Sequence, residues 1–274
     1  MAEATPNTAP IMAPTMAVQL YTLRNYGNIE AALKLAADAG YDAVETVGMH
    51  GVSVDTMQAL LDNYGLQVCS SHVGLDELQH NLAAHIAFNR QLGNHHLVLP
   101  WLAADARPQS FEAWHALGQT LATLVERCRQ EDITLHYHNH DFEMLLLGDH
   151  IALDALAEGA RTLHLELDLA WIVRGQQDPA TLLQRYAARV SHVHVKDLAQ
   201  EEDAKNEGGW ADVGYGRMAW PPLLRLAYAN GVRYFIVEHD EPADPARTVK
   251  RSADYLRPLL DSFAASNVSR HVEQ

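Results

Sequence analysis

The chain of 274 residues sets 20 Lys and Arg against 35 Asp and Glu, a formal charge of −15 with His neutral. Its 48% hydrophobic content supports a sizeable core and excludes a disordered chain. The acidic balance argues against a general binder of nucleic acid or anionic membrane, and the two cysteines, Cys69 and Cys128, are too few for a disulfide framework or a cysteine-based zinc site.

Residues 1–16, MAEATPNTAPIMAPTM, have no basic start and no continuous apolar run. They read as a mobile extension rather than a signal peptide, and the cytoplasm is the expected compartment. From residue 17 short apolar runs alternate with longer amphipathic stretches. Strand 17–21 leads to helix 28–39, where Ile29, Ala32, Leu33 and Ala36 recur at helical spacing. Strand 43–47, helix 57–63, strand 67–72, helix 78–92 and strand 96–99 follow. Next come helix 111–130, strand 133–138, helix 152–157, strand 162–168, helix 179–187 and strand 190–195. A solvated loop, QEEDAKNEGG at 200–209, precedes helix 221–229, strand 234–238 and helix 245–260. Residues 265–274 read as a flexible tail. AGYDAVE (39–45), YGLQV (64–68) and NGVRYFIVE (230–238) each place a Gly where a helix ends and a strand begins. Eight such alternations in one domain, 17–264, predict a single (β/α)8 TIM barrel of the α/β class.

Active sites of such barrels lie at the C-terminal ends of the strands. Polar ligand-type residues collect there: Glu45, His72, the run His138-Asn139-His140, Asp168, the run His194-Val195-Lys196-Asp197, and Glu238-His239. A buried carboxylate or imidazole is costly unless paired or metal-bound. Asp168, His194 and Glu238 close three successive strands and form a hard-to-borderline donor set; the fourth ligand is Glu143 or His138 from the fifth strand. Lys196 is expected on a substrate oxygen, or paired with Asp197 or Glu238. His192, deeper in the barrel, is expected to be structural. His80, His85, His115, His150 and His271 are expected to be solvated.

The stretch from about Met16 to Leu260 resembles the xylose isomerase-like TIM barrels, also called sugar phosphate isomerases/epimerases. VQLYTLR (18–24), YHNHDFE (137–143), ELDLAW (166–171), HVHVKD (192–197), GWADVGYG (209–216) and IVEHD (236–240) carry the resemblance. It implies one divalent ion, manganese first and magnesium, cobalt or zinc as alternatives, held by Glu143, Asp168, His194 and Glu238. Many members place Glu before the Asn of the fifth strand. This chain has His138 there, which leaves His138 as an alternative ligand or a general base. Trp171 stands where epimerases often carry a His and is expected to wall a sugar ring. His138, Glu238 and Glu143 are the catalytic candidates; Glu45, His72, His140, Trp171 and Lys196 are the candidate substrate contacts.

The implied activity is an isomerase or epimerase acting on a small sugar or keto-polyol through an enediolate. A metal-dependent dehydratase of a keto-sugar or inosose is the runner-up, because His138 breaks the symmetry of two facing carboxylates. A DNA-repair endonuclease of the same barrel conflicts with the charge of −15. The expected partner is a small molecule, with neither nucleic acid nor membrane; whether the chain forms a homo-oligomer is left open.

Overall fold

The computed structural model describes residues 13–201 and 205–272, with side chains through Phe263. Eight parallel strands close into a barrel: β1 (Thr15–Gln19), β2 (Ala43–Val47), β3 (Gln67–His72), β4 (His96–Leu99), β5 (Thr134–His138), β6 (His164–Asp168), β7 (Val190–Val195) and β8 (Tyr234–Val237). Each pairs with its sequence neighbour, and β1 closes the ring on β8 with Thr15 opposite Tyr234 and Val18 opposite Val237. The helices outside are α1 (Ile29–Asp38), α2 (Val54–Tyr64), α3 (Leu75–His80), α4 (Leu82–Gln91), α5 (Phe111–Arg129), α6 (Ala152–Gly159), α7 (Leu169–Arg174), α8 (Pro179–Arg185), α9 (Trp220–Ala229) and α10 (Pro245–Val272).

Strand alternation divides the molecule into two environments. Outward residues such as Val18, Val44, Leu97, Tyr137, Leu167, Val193 and Phe235 join the large apolar core shared with the helices. The apolar cluster within the barrel is small: Ala17, Ala43, Cys69 and Ile236. Small side chains from β1, β2 and β3 leave room for the imidazoles and carboxylates of β5, β6 and β7. The barrel interior is therefore polar and titratable, which makes it a place for chemistry.

Several boundaries differ from expectation. β1 begins at Thr15, so Thr15 and Met16 belong to the barrel and not to the extension, and Met16 is fully buried. Residues 1–12 of that extension lie outside the described residues. Leu20–Leu23 turn into a 3₁₀ helix because the Gln19 side chain accepts the Tyr21 N–H, which ends β1 two residues early. The 78–92 stretch is two helices, α3 and α4, broken at Asn81. His85 is not solvated: it is buried, with its Nε2 3.0 Å from Glu77. His271 lies outside the described side chains. α10 runs to Val272, through most of the stretch read as a tail. Among the described residues no helix is long and apolar enough to cross a membrane.

Candidate metal centre and active site

Asp168 ends β6 and caps α7 in one stroke. Its Oδ1 accepts the Ala170 and Trp171 N–H groups at 2.9 and 2.8 Å, which stops the strand and locks the carboxylate. Its Oδ2 is buried and has no hydrogen bond; the nearest cation, Lys196 Nζ, is 3.3 Å away. Asn139, just past β5, exchanges hydrogen bonds with the Asp168 backbone and ties these two strand ends together.

On β7 the alternation puts His192, His194 and Lys196 inside and sends Asp197 outward. His194 Nδ1 lies 2.9 Å from Glu238 Oε2 and 4.0 Å from Asp168 Oδ2. Its Nε2 lies 2.7 Å from Glu45 and 3.0 Å from Glu166. Burial disfavours the imidazolium, but Glu166, Glu238 and Glu45 outweigh burial and raise the His194 pKa well above its usual range. The site thus demands positive charge, and a protonated imidazole supplies it. His138, Asp168, His194 and Glu238 each offer a donor atom within 4.8 Å of the others, all buried. Two carboxylates and two imidazoles, with an Asp168 oxygen that makes no hydrogen bond, fit a divalent ion, whose arrival would let His194 give up its proton.

Glu143 does not join this group. Tyr137 and His140 hold it on the outer side of β5: the Tyr137 hydroxyl donates to Oε1 at 2.6 Å and the His140 N–H to Oε2 at 2.8 Å. Burial raises its carboxyl to about 8, against the pull of those donors. Glu143, expected as ligand and catalyst, thus lies apart from the group, and His138, the alternative from β5, is the side chain within reach of Asp168, His194 and Glu238. His138 Nδ1 rests 3.2 Å from Glu166 Oε1, the kind of carboxylate contact that orients a metal-binding imidazole.

Glu45 and His72, expected at the substrate, lie in a buried network with Glu166 and His194. Glu45 accepts from Gln19 at 2.7 Å and from Ser70 at 2.5 Å, and meets His72 and His194 at 3.1 and 2.7 Å. His72 also lies 2.9 Å from Glu166. With its oxygens engaged and no exposure, Glu45 has nothing to offer a ligand at the mouth.

The mouth is formed by other groups. Lys196 is fully buried, 2.8 Å from both Glu238 Oε2 and Asp240 Oδ1. Burial opposes its charge, but Asp240, Glu238 and Asp168 raise its pKa, so the ammonium persists. Asp197, the partner considered from sequence, points away; it holds the 210–218 loop through the Gly214 and Met218 N–H groups and Trp220 Nε1. That loop lays Trp210 with its ring centre 4.8 Å from Lys196 Nζ. The Trp171 ring lies 5.3 Å from the same ammonium and 5.0 Å from the His140 ring. Trp101, about half exposed, stacks edge-on against His140. His140 Nδ1 is buried without a hydrogen-bond partner, and burial lowers its pKa to about 3, so it is a neutral acceptor. Sequence reasoning omitted Glu166, Gln19, Asp240, Trp101 and Trp210. The alternation His164-Leu165-Glu166-Leu167-Asp168 was the available signal for Glu166, since it shares the face of Asp168.

The family model described as xylose isomerase-like TIM barrel matches residues 33–259. The rhizopine catabolism protein MocC of Rhizobium meliloti is 25% identical over 80% of this chain and 76% of its own length. An inosose dehydratase of Geobacillus kaustophilus is 24% identical over 86% of this chain and 89% of its own. A sugar phosphate isomerase/epimerase structure from Parabacteroides distasonis superposes with a TM-score of 0.76 at 21% identity, covering 94% of this chain and all of the other. At that identity the likeness is one of fold.

Proposed function

The chain belongs to the xylose isomerase-like TIM barrel family, and from that premise we propose that it is a metal-dependent lyase that removes water from a keto-polyol of the inosose class. The observation that carries this reading is the asymmetry of the mouth. A buried ammonium, Lys196, and a neutral imidazole with a free nitrogen, His140, flank the same Trp171 ring. Elimination needs one group that accepts the α-proton and one that donates to the departing hydroxyl. The named activity of the Geobacillus relative, which is matched over most of both chains, supports the same choice.

His138, Asp168, His194 and Glu238 would hold the ion. A divalent ion there supplies Lewis acidity that makes a C–H beside the substrate carbonyl easier to deprotonate. His140 Nδ1, which has no hydrogen-bond partner, would take that proton, with Glu238 opposing the burial that weakens it as a base. The electron pair forms the new C=C bond as the β-carbon–oxygen bond breaks, and Lys196 Nζ passes a proton to the departing oxygen, which leaves as water. Asp240 and Glu238 hold the ammonium in place. Trp171 and Trp101 present apolar ring faces for the substrate's C–H edges and shield the reacting carbon from bulk water, while Trp210, buried under the Arg174 guanidinium, backs Lys196.

An isomerase or epimerase, the first expectation from sequence, is the second reading. It draws on Glu238, a carboxylate 2.8 Å from Lys196 that would serve as a base returning the proton to another carbon or face. Manganese-loaded protein incubated in D₂O with a panel of inososes and ketoses separates the two. Loss of one water from an inosose, abolished by Lys196→Gln and His140→Asn with metal retained, is the expected result. Deuterium uptake without loss of water would overturn the lyase reading in favour of the isomerase.

A further inference from the structure

The barrel holds a second cluster of imidazoles that the chemistry at the mouth does not use. His136 on β5 and His192 on β7 each lie two residues before a member of the upper group, about 7 Å deeper along the strands. His96, the first residue of β4, joins them from the N-terminal rim. The three rings pack edge to face around one point, with centroids 5.2 Å apart for His96 and His136, 4.6 Å for His96 and His192, and 4.7 Å for His136 and His192. One nitrogen from each falls within 4.8 Å of the other two. A stack of Tyr234 on His192, with centroids 4.3 Å apart, backs the group.

The hydrogen bonding of this group is incomplete. His96 Nδ1 meets His136 Nε2 at 3.1 Å, so two ring nitrogens share a single proton. His136 Nδ1 is fully buried and has no partner. His192 is held at 2.8 Å by the Ser191 hydroxyl and at 3.3 Å by the Cys69 carbonyl. Tetrahedral zinc with Zn–N bonds of about 2.0–2.1 Å places its nitrogens about 3.3 Å apart. The His96–His136 separation is already close to that edge.

There is also a way in. A cavity of about 410 Å³ opens at the N-terminal end of the barrel, lined by His96, Tyr234, Cys69, Gln67 and Asn94 among others. His96 is only partly buried, so an ion and a water ligand can reach it from that side. The face is opposite the catalytic mouth.

We propose that His96, His136 and His192 form a second metal site, open to solvent at the base of the barrel, that takes a borderline transition-metal ion of the zinc class. Three imidazoles with no carboxylate among them select zinc or copper over manganese, magnesium or calcium, which favour oxygen donors. On binding, the ion takes the place of the shared proton, which moves to the outer nitrogen of its ring. His192 exchanges one of its two contacts for the ion and keeps the other as the outer bond that orients it. The sequence reading of His192 as structural describes the metal-free protein.

The test is metal content after metal-free protein is saturated with Zn²⁺ and excess ion is removed. Wild type is expected to retain one more equivalent of zinc than His96→Gln, while separate samples of the two metal-free proteins loaded with Mn²⁺ alone hold equal manganese. His96 sits at the rim, so its replacement leaves the core in place. Equal zinc content in the two proteins would overturn the proposal. A second measurement needs no variant: anomalous scattering at the zinc edge from zinc-soaked crystals of wild type. A peak among the three rings is expected. Its absence, whatever is found at the mouth, would overturn the second site without touching the reading of the first.

Discussion

At the scale of single residues, β5 carries the sharpest consequence. His138 and Glu143 stand five positions apart in one motif, and the chain's turn after β5 separates them: His138 ends the strand facing the barrel axis, whereas Glu143, in the 3₁₀ turn Phe142–Met144, is held outside by Tyr137. His138→Asn is therefore expected to lose most of the metal at the mouth, and Glu143→Gln to keep it, as read by elemental analysis. The opposite pattern would restore Glu143 as ligand. Glu143 has its own signature. Burial raises its carboxyl from an ordinary 4.5 to about 8, so the folded protein keeps a proton that the unfolded chain releases. Stability contributed by that protonated form is complete at low pH and is lost as pH rises through this window, by up to about 1.4 kcal/mol per pH unit. Glu143→Gln, neutral throughout, is expected to flatten that part of the pH profile in thermal melts between pH 4.5 and 8. Parallel profiles for the two proteins would refute the assignment. The motif YHNHDFE showed that this segment carries chemistry, but the choice between two donors needed the turn after β5.

Among the elements, the 210–218 loop shows how a segment outside the barrel strands reaches the mouth. Trp210–Ala211 pair antiparallel with Asp197–Leu198, and Asp197 anchors the rest of the loop from inside. Gly216 lies so close to this anchor that an added Cβ would sit 2.2 Å from Asp197 Oδ1 and from the Leu198 carbonyl oxygen. The loop must shift to admit any side chain, carrying Trp210 away from Lys196. Gly216→Ala is expected to cut kcat/KM by about tenfold or more, since displacement of a positioning group by about an ångström is enough for that. Steady-state kinetics beside a thermal melt checks it, and unchanged kcat/KM would remove Trp210 from the site. GWADVGYG was legible as a motif. Its placement over Lys196 was not, because the Asp197 anchor lies twelve residues or more from the loop it holds.

For the whole molecule, the upper ligand group takes one residue from the C-terminal end of each of β5, β6, β7 and β8, so a bound ion ties half of the barrel together. An ion that binds only the folded form adds stability by mass action, about 2.7 kcal/mol at a hundredfold excess over Kd. Added Mn²⁺ is expected to raise Tm and a chelator to lower it, with the Mn²⁺ effect absent in Glu238→Gln. An equal rise in wild type and variant would place the stabilising ion elsewhere. The sequence by itself determined the barrel, because eight apolar runs separated by amphipathic stretches leave few other ways to bury strands on both faces. It also pointed to Asp168, His194 and Glu238 as candidates, since acids and imidazoles ending apolar strands carry a cost that chemistry would explain, and the fold brings the three within reach of one another. Only the tertiary structure brought His138 within reach of that group, set Glu45 against His72 and His194, and placed Lys196 and His140 beside the same Trp171 ring. It alone brought His96, His136 and His192 together. These relations join residues as far as 149 positions apart, as for Glu45 and His194, and depend on strand register and tilt, which local patterning does not encode.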